Sequence, residues 1–149
     1  MVKVAVLDYG IGNLRSAQKA FEISGAEARL TADKDLVLAS DGVVLPGVGN
    51  FGKCAKALTD SGVRELALLA VENGIPFLGI CVGMQLLYET SDESPAAQGL
   101  GLFSGKVKML ENAPRVPQMQ WNQIQLKDDS PLLRGLEGEW FYFVHSYAA

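Results

Sequence analysis

Cys81 stands between two glycines, in Gly79-Ile80-Cys81-Val82-Gly83, where the apolar run Pro76-Phe77-Leu78 gives way to the helix-like pattern Met84-Gln85-Leu86-Leu87. A nucleophile on a sharp strand-to-helix turn needs such neighbours. A Cβ two residues before or after it would collide with the adjoining strand and helix. The same turn puts the thiol at a helix N-terminus, where free N–H groups and the dipole favour thiolate over thiol. A cysteine in an apolar run is otherwise a small core residue, but a core cysteine has no need of two flanking glycines. The pattern therefore points to a sulfur nucleophile and to acyl-transfer chemistry.

Such chemistry requires backbone N–H groups aimed at a developing oxyanion, one from the residue after the nucleophile, Val82, and one from a neighbouring loop. Pro46-Gly47-Val48-Gly49 follows a predicted strand and is the natural source, although a glycine-rich connection also forms without any such duty. A thiolate needs a proton donor for its leaving group as well, and the chain has one histidine, His145. It follows Cys81 in sequence, as in nucleophile-elbow hydrolases, yet it sits within the aromatic run Phe141-Tyr142-Phe143-Val144-His145-Ser146-Tyr147. Both a catalytic and a structural or substrate-facing histidine fit that position. Gly10-Ile11-Gly12 invites a dinucleotide reading, but the third glycine of that fingerprint falls on Arg15. Tight turning, with Asn13 as a helix N-cap, accounts for the loop. Cys54 reads as packing. No clustered ligand set supports a metal, and no motif calls for a cofactor.

The elements that must position these residues alternate. Strand patterns at residues 2–7, 26–30, 42–45 and 76–80 are separated by helical patterns at 14–24, 33–40, 54–58 and 63–71, the first with Leu14, Ala17 and Phe21 on one face. This alternation predicts an α/β fold: a mostly parallel open sheet with helices on both faces and its chemistry in the loops at the strand C-termini. The three glycine-bearing loops fall there, after Leu7, Leu45 and Ile80. Beyond Tyr88 the texture changes to a polar loop at 90–97, strands at 105–110 and 121–126, a turn of helix at 132–133 and an aromatic strand at 139–147. A length of 149 residues predicts one domain.

The net charge of −4, without a Lys/Arg run, argues against nucleic acid and against an anionic membrane surface. The first apolar run is too short for a signal-peptide core or a membrane span. Two cysteines outside any Cys-x-x-Cys pair indicate a reducing compartment, hence the cytoplasm.

With these residues assembled, the chain resembles the class I, triad-type glutamine amidotransferases, whose sheet is flavodoxin-like. The resemblance rests on Asp8-Tyr9-Gly10-x-Gly12-Asn13-Leu14, on Leu45-Pro46-Gly47-Val48-Gly49-x-Phe51-Gly52 and on Gly79-Ile80-Cys81-x-Gly83-Met84-Gln85-Leu86. Val116-Pro117-x-Met119-x-Trp121-Asn122 and Phe143-Val144-His145-Ser146-Tyr147 narrow it to the subfamily that serves imidazole glycerol phosphate synthase. The resemblance implies that Cys81 attacks the side-chain amide of glutamine and forms a glutamyl thioester. It implies Val48 and Val82 N–H as oxyanion donors, and Gly47, Gly49, Gln85, His145, Ser146 and Tyr147 as substrate contacts. It further implies a cyclase partner, a separate β/α-barrel subunit that receives the ammonia, with Asn13, Trp121 and Asn122 at the interface.

Two departures accompany it. In that family the catalytic histidine and its orienting glutamate lie in a His-Pro-Glu segment beyond the His-Ser-Tyr strand, outside residues 1–149, so the domain is expected to be truncated before its base. Gln118 and Gln120 stand where the subfamily usually has His and Gly. An unrelated cysteine hydrolase with His145 as base, and a catalytically inactive binding module, remain as alternatives.

Overall fold

The computed structural model describes residues 1–111 and 113–149. The chain forms two compact units, Met1–Lys108 with Ala149, and Met109–Ala148.

In the first unit, β1 (Lys3–Leu7), β2 (Glu27–Thr31), β3 (Gly42–Gly47) and β4 (Phe77–Cys81) make a parallel sheet in the order β2-β1-β3-β4. The two central strands, β1 and β3, are apolar on both faces because both faces are covered. Val4, Val6, Ala28 and Val44 point to one side, where Ala17 and Phe21 of α1 (Leu14–Ile23) pack on them. Ala5, Leu7, Val43 and Leu45 point to the other. There they meet Val37 of α2 (Lys34–Leu38), Phe51 and Leu58 of α3 (Phe51–Asp60), and Leu66, Ala67 and Ala70 of α4 (Val63–Glu72). The predicted parallel sheet with helices on both faces is therefore present.

Several elements differ from the sequence reading, each for a local reason. Strand β3 continues through Pro46 to Gly47, because that stretch keeps register with β4, Pro46 opposite Ile80 and Gly47 opposite Cys81. Helix α3 starts at Phe51, three residues before the predicted span, because the Asn50 side chain accepts a hydrogen bond from Lys53 N–H. Helix α5 is a single turn, Val82–Gln85. Part of the polar stretch beyond it is a strand, β5 (Tyr88–Ser91), paired in parallel with β6 (Phe103–Met109).

The second unit is built on an antiparallel ribbon of β7 (Gln118–Gln123) and β8 (Trp140–His145), followed by the short β9 (Tyr147–Ala148). A 3-10 turn at Pro131–Leu133 stands at the predicted helical turn.

Candidate active site

The sheet order places β1, β3 and β4 side by side, so their C-terminal loops share one edge of the first unit. That is where ligands bind in open parallel sheets.

The turn at Cys81 has the geometry the glycines require. Cys81 is the one non-glycine residue with positive φ among those described, at φ 57° and ψ −121°. A side chain held there is strained and stays only because its surroundings enforce it. The enforcement is visible at both flanking glycines. A Cβ on Gly79 would lie 2.4 Å from Met84 Cα, and one on Gly83 would lie 1.8 Å from the Leu45 carbonyl oxygen. The first contact seats the α5 turn against its own strand, and the second seats it against β3. The sulfur-bearing residue projects into solvent, and both cysteines are free thiols. Helix α5 is too short to carry the full dipole expected from the sequence. Its contribution reduces to the N–H groups of that one turn.

The loop after β3 lies directly against this turn. A Cβ on Gly47 would meet Gly83 N at 2.4 Å and Val82 C at 2.9 Å, so only glycine permits the approach. Val48 follows, half exposed at 52%, and Gly49 adopts φ +88° with open space around it. Gln85, on the same turn as Val82, is buried. Gly47, Val48, Gly49, Cys81, Val82 and Gln85 thus converge in one place.

The loop after β1 joins them from the side. Gly10 and Gly12 take φ of +83° and +127°, and Gly10 N–H donates to Asp8 Oδ1 at 3.1 Å, so its glycines serve tight turns. Asn13 occupies the N-cap position of α1 and is exposed, but its side chain makes no capping bond. Tyr9 is buried behind the β3 loop. Burial, reinforced by the neighbouring Cys54, holds its hydroxyl protonated well above the usual tyrosine range. Burial likewise pushes the Cys54 thiol up.

Two further residues were not legible in advance. Glu93 accepts from Phe51 N–H at 2.7 Å, and Ser94 Oγ accepts from Gly52 N–H at 3.2 Å, so the loop after β5 closes over the first turn of α3. These contacts span 42 residues of sequence, and no local pattern encodes them. The one available hint was an acidic residue beside serines, the usual complement of a helix N-terminus.

The remaining expected residues belong to the second unit. His145 ends β8, with its Nδ1 3.1 Å from the Tyr147 carbonyl oxygen. Ser146 accepts from Leu110 N–H at 2.9 Å. In the ribbon, Met119, Trp121, Trp140, Tyr142 and Val144 are all exposed, and the register puts Met119 opposite Val144 and Trp121 opposite Tyr142 on one face. The rings of Trp121 and Tyr142 are 5.6 Å apart. Asn122 alternates to the other face, where its Oδ1 accepts from Gln120. Among the described residues no three His, Cys, Asp or Glu side chains gather as a metal-binding group, and no helix is long and apolar enough to cross a membrane.

Residues 5–149 match the family described as glutamine amidotransferase class-I. The chain is 49% identical over 146 residues to the "imidazole glycerol phosphate synthase subunit HisH" of Methanothermobacter thermautotrophicus, covering 98% of this chain and 73% of that one. It is 45% identical over 150 residues to the protein of the same name from Pyrococcus furiosus, covering 100% and 73%. A solved structure described as a glutamine amidotransferase superposes with a TM-score of 0.73 over 97% of this chain and 71% of its own. At 20% identity, that likeness is one of fold.

Proposed function

This chain belongs to the class I glutamine amidotransferase family, and from that premise we propose that it is the glutaminase subunit of an imidazole glycerol phosphate synthase acting in the cytoplasm. The observation that carries the chemistry is the strained, exposed Cys81 with the Gly47 loop seated on its turn. The Cys81 thiolate attacks the side-chain amide carbon of glutamine. The Val82 and Val48 N–H groups stabilise the oxyanion, and its collapse expels ammonia, leaving a glutamyl thioester that water hydrolyses to glutamate. Gly47, Gly49 and Gln85 of the first unit bind the glutamine.

Expulsion of ammonia needs a proton donor, a role that the family resemblance gives to a histidine with an orienting glutamate rather than to His145. The ammonia passes to a cyclase subunit, a β/α-barrel, for closure of the imidazole ring. The exposed Met119, Trp121, Tyr142 and Val144 face supports a protein partner, because clustered exposed aromatics are characteristic of interfaces. Asn13 is exposed, as an interface residue must be, and Asn122 belongs to the opposite face of the ribbon.

The test is Cys81→Ser in the full-length protein assembled with its cyclase. Glutamine-dependent product formation is lost while ammonia-dependent formation persists. Glutamine turnover within tenfold of the parent would overturn the assignment. In the same assembly, His145→Ala raises KM for glutamine with kcat retained if it is only a substrate contact, and loses kcat if His145 is the base.

A further inference from the structure

The loop that bears Val48 is gripped from behind by two buried side chains that take no part in the chemistry above. Tyr9, at the end of β1, donates its hydroxyl hydrogen to the Pro46 carbonyl at 2.6 Å. Cys54, fully buried in the first turn of α3, donates from Sγ to the Val48 carbonyl at 3.3 Å.

A peptide unit is planar, so anchoring a carbonyl also sets the direction of the next residue's N–H. Tyr9 thereby fixes the Pro46–Gly47 plane, and Cys54 fixes the Val48–Gly49 plane. Between them lies the Gly47–Val48 plane, whose N–H is the oxyanion donor assigned above. Glycine on both sides of Val48 gives that plane more torsional freedom than any other residue type would, and Gly49 has nothing within 4 Å of where a Cβ would stand. Without outside anchors, a donor on such a loop is not preorganised, and preorganisation is what makes an oxyanion donor effective.

We propose that Tyr9 and Cys54 are positioning residues for glutamine hydrolysis, which bracket the Val48 peptide by holding the Pro46 and Val48 carbonyls. The proposal rests on the reading of Val48 N–H as an oxyanion donor. Burial suits both residues to the task. It keeps the phenol and the thiol in their hydrogen-bearing forms at neutral pH, and only those forms can donate to a carbonyl. Cys54 therefore acts as a weak, compact donor in a space where the reactive chemistry of a thiol is suppressed.

The experiment measures kcat and KM for glutamine in the full-length protein assembled with its cyclase, for the parent, Tyr9→Phe, Cys54→Ala, Cys54→Ser and Cys81→Ser. Rates are normalised to the fraction of Cys81 that titrates with iodoacetamide, which removes misfolded protein from the comparison. Loss of a donor's alignment is expected to lower kcat about tenfold to a hundredfold in Tyr9→Phe and Cys54→Ala, part of the 10²–10³ that deleting a whole donor costs. KM stays within about twofold, because the oxyanion forms only in the transition state. Cys54→Ser, which retains a donor of similar size, recovers most of the rate. A purely packing role for Cys54 predicts no such separation between Ser and Ala.

The proposal is overturned if normalised kcat is unchanged in Tyr9→Phe and Cys54→Ala, or if KM rises while kcat stays constant. If Cys54→Ala does not fold, Tyr9→Phe decides alone, since it removes a single hydroxyl and leaves the ring. An inactive parent, or an active Cys81→Ser, would overturn the underlying glutaminase reading instead, and the two failures are thus told apart.

Discussion

Gly83→Ala adds one methyl group where a Cβ has the least room of any glycine in the chain. An ideal Cβ there would lie 1.8 Å from the Leu45 carbonyl oxygen, 2.8 Å from the Leu45 carbonyl carbon and 3.0 Å from that of Pro46, against 3.4–4 Å for ordinary contact. All three atoms are backbone. Leu45 is fully buried in β3 and paired with Gly79 of β4, so it cannot swing aside as a flexible side chain would. Overpacking ordinarily costs about 1–3 kcal/mol, and a backbone-on-backbone collision puts this variant at or above the upper end, about 3 kcal/mol. For a chain of this size that corresponds to a fall in melting temperature of roughly 6–12 °C. Gly74→Ala is the matched control: nothing lies within 4 Å of its Cβ position and φ is +72°, so it carries backbone strain without collision. Its cost is about 1 kcal/mol, or roughly 2–4 °C. Thermal unfolding of both variants, with the rate of Cys81 alkylation as a report on the turn, separates the two effects. If Gly83→Ala melts within about 2 °C of the parent, or above Gly74→Ala, the elbow is not held as described.

Cys81→Gly abolishes glutamine turnover yet raises stability, because glycine accepts φ 57° without strain; a gain of about 1 kcal/mol in urea unfolding is expected, and a loss would show that the residue is not strained. Iodoacetamide at neutral pH modifies Cys81 well before Cys54, since Cys81 is exposed while Cys54 is buried with its thiol pushed up; peptide mapping that finds Cys54 modified first would refute this. Unfolded tyrosine ionises near pH 10, and Tyr9 in the folded chain ionises only above that. Its stabilisation is therefore intact below about pH 10 and lost as the pH rises toward the folded value, so urea midpoints fall across this alkaline range and fall less steeply in Tyr9→Phe. Equal slopes in the two proteins would exclude the contribution.

What the sequence disclosed and what it concealed divide along a physical line. Periodicity and β-branched runs placed the four parallel strands, most plainly β1 and β3, which bury both faces, and Ala17 and Phe21 were legible as a core-facing stripe by the same local patterning. The turn at Cys81 was legible because its demands fall on residues two positions away: Gly79 must admit Met84, and Gly83 must admit Leu45. Glu93 was opaque because its partner lies 42 residues away, and Cys54, though near Val48 in sequence, because its partner is a backbone carbonyl that no residue type announces. The Cys54 side chain reads as packing until the Val48 carbonyl is found at 3.3 Å, and Glu93 reads as a solvated loop residue until it caps Phe51. Helix α5 was overestimated for a related reason, since the apolar Leu86 and Leu87 continue a helical pattern but are buried beyond the helix's single turn. The residues that perform chemistry leave local signatures because their strain must be relieved by near neighbours. Those that hold them in place act through carbonyls and N–H groups, which every residue possesses, so tertiary structure alone reveals which ones are held.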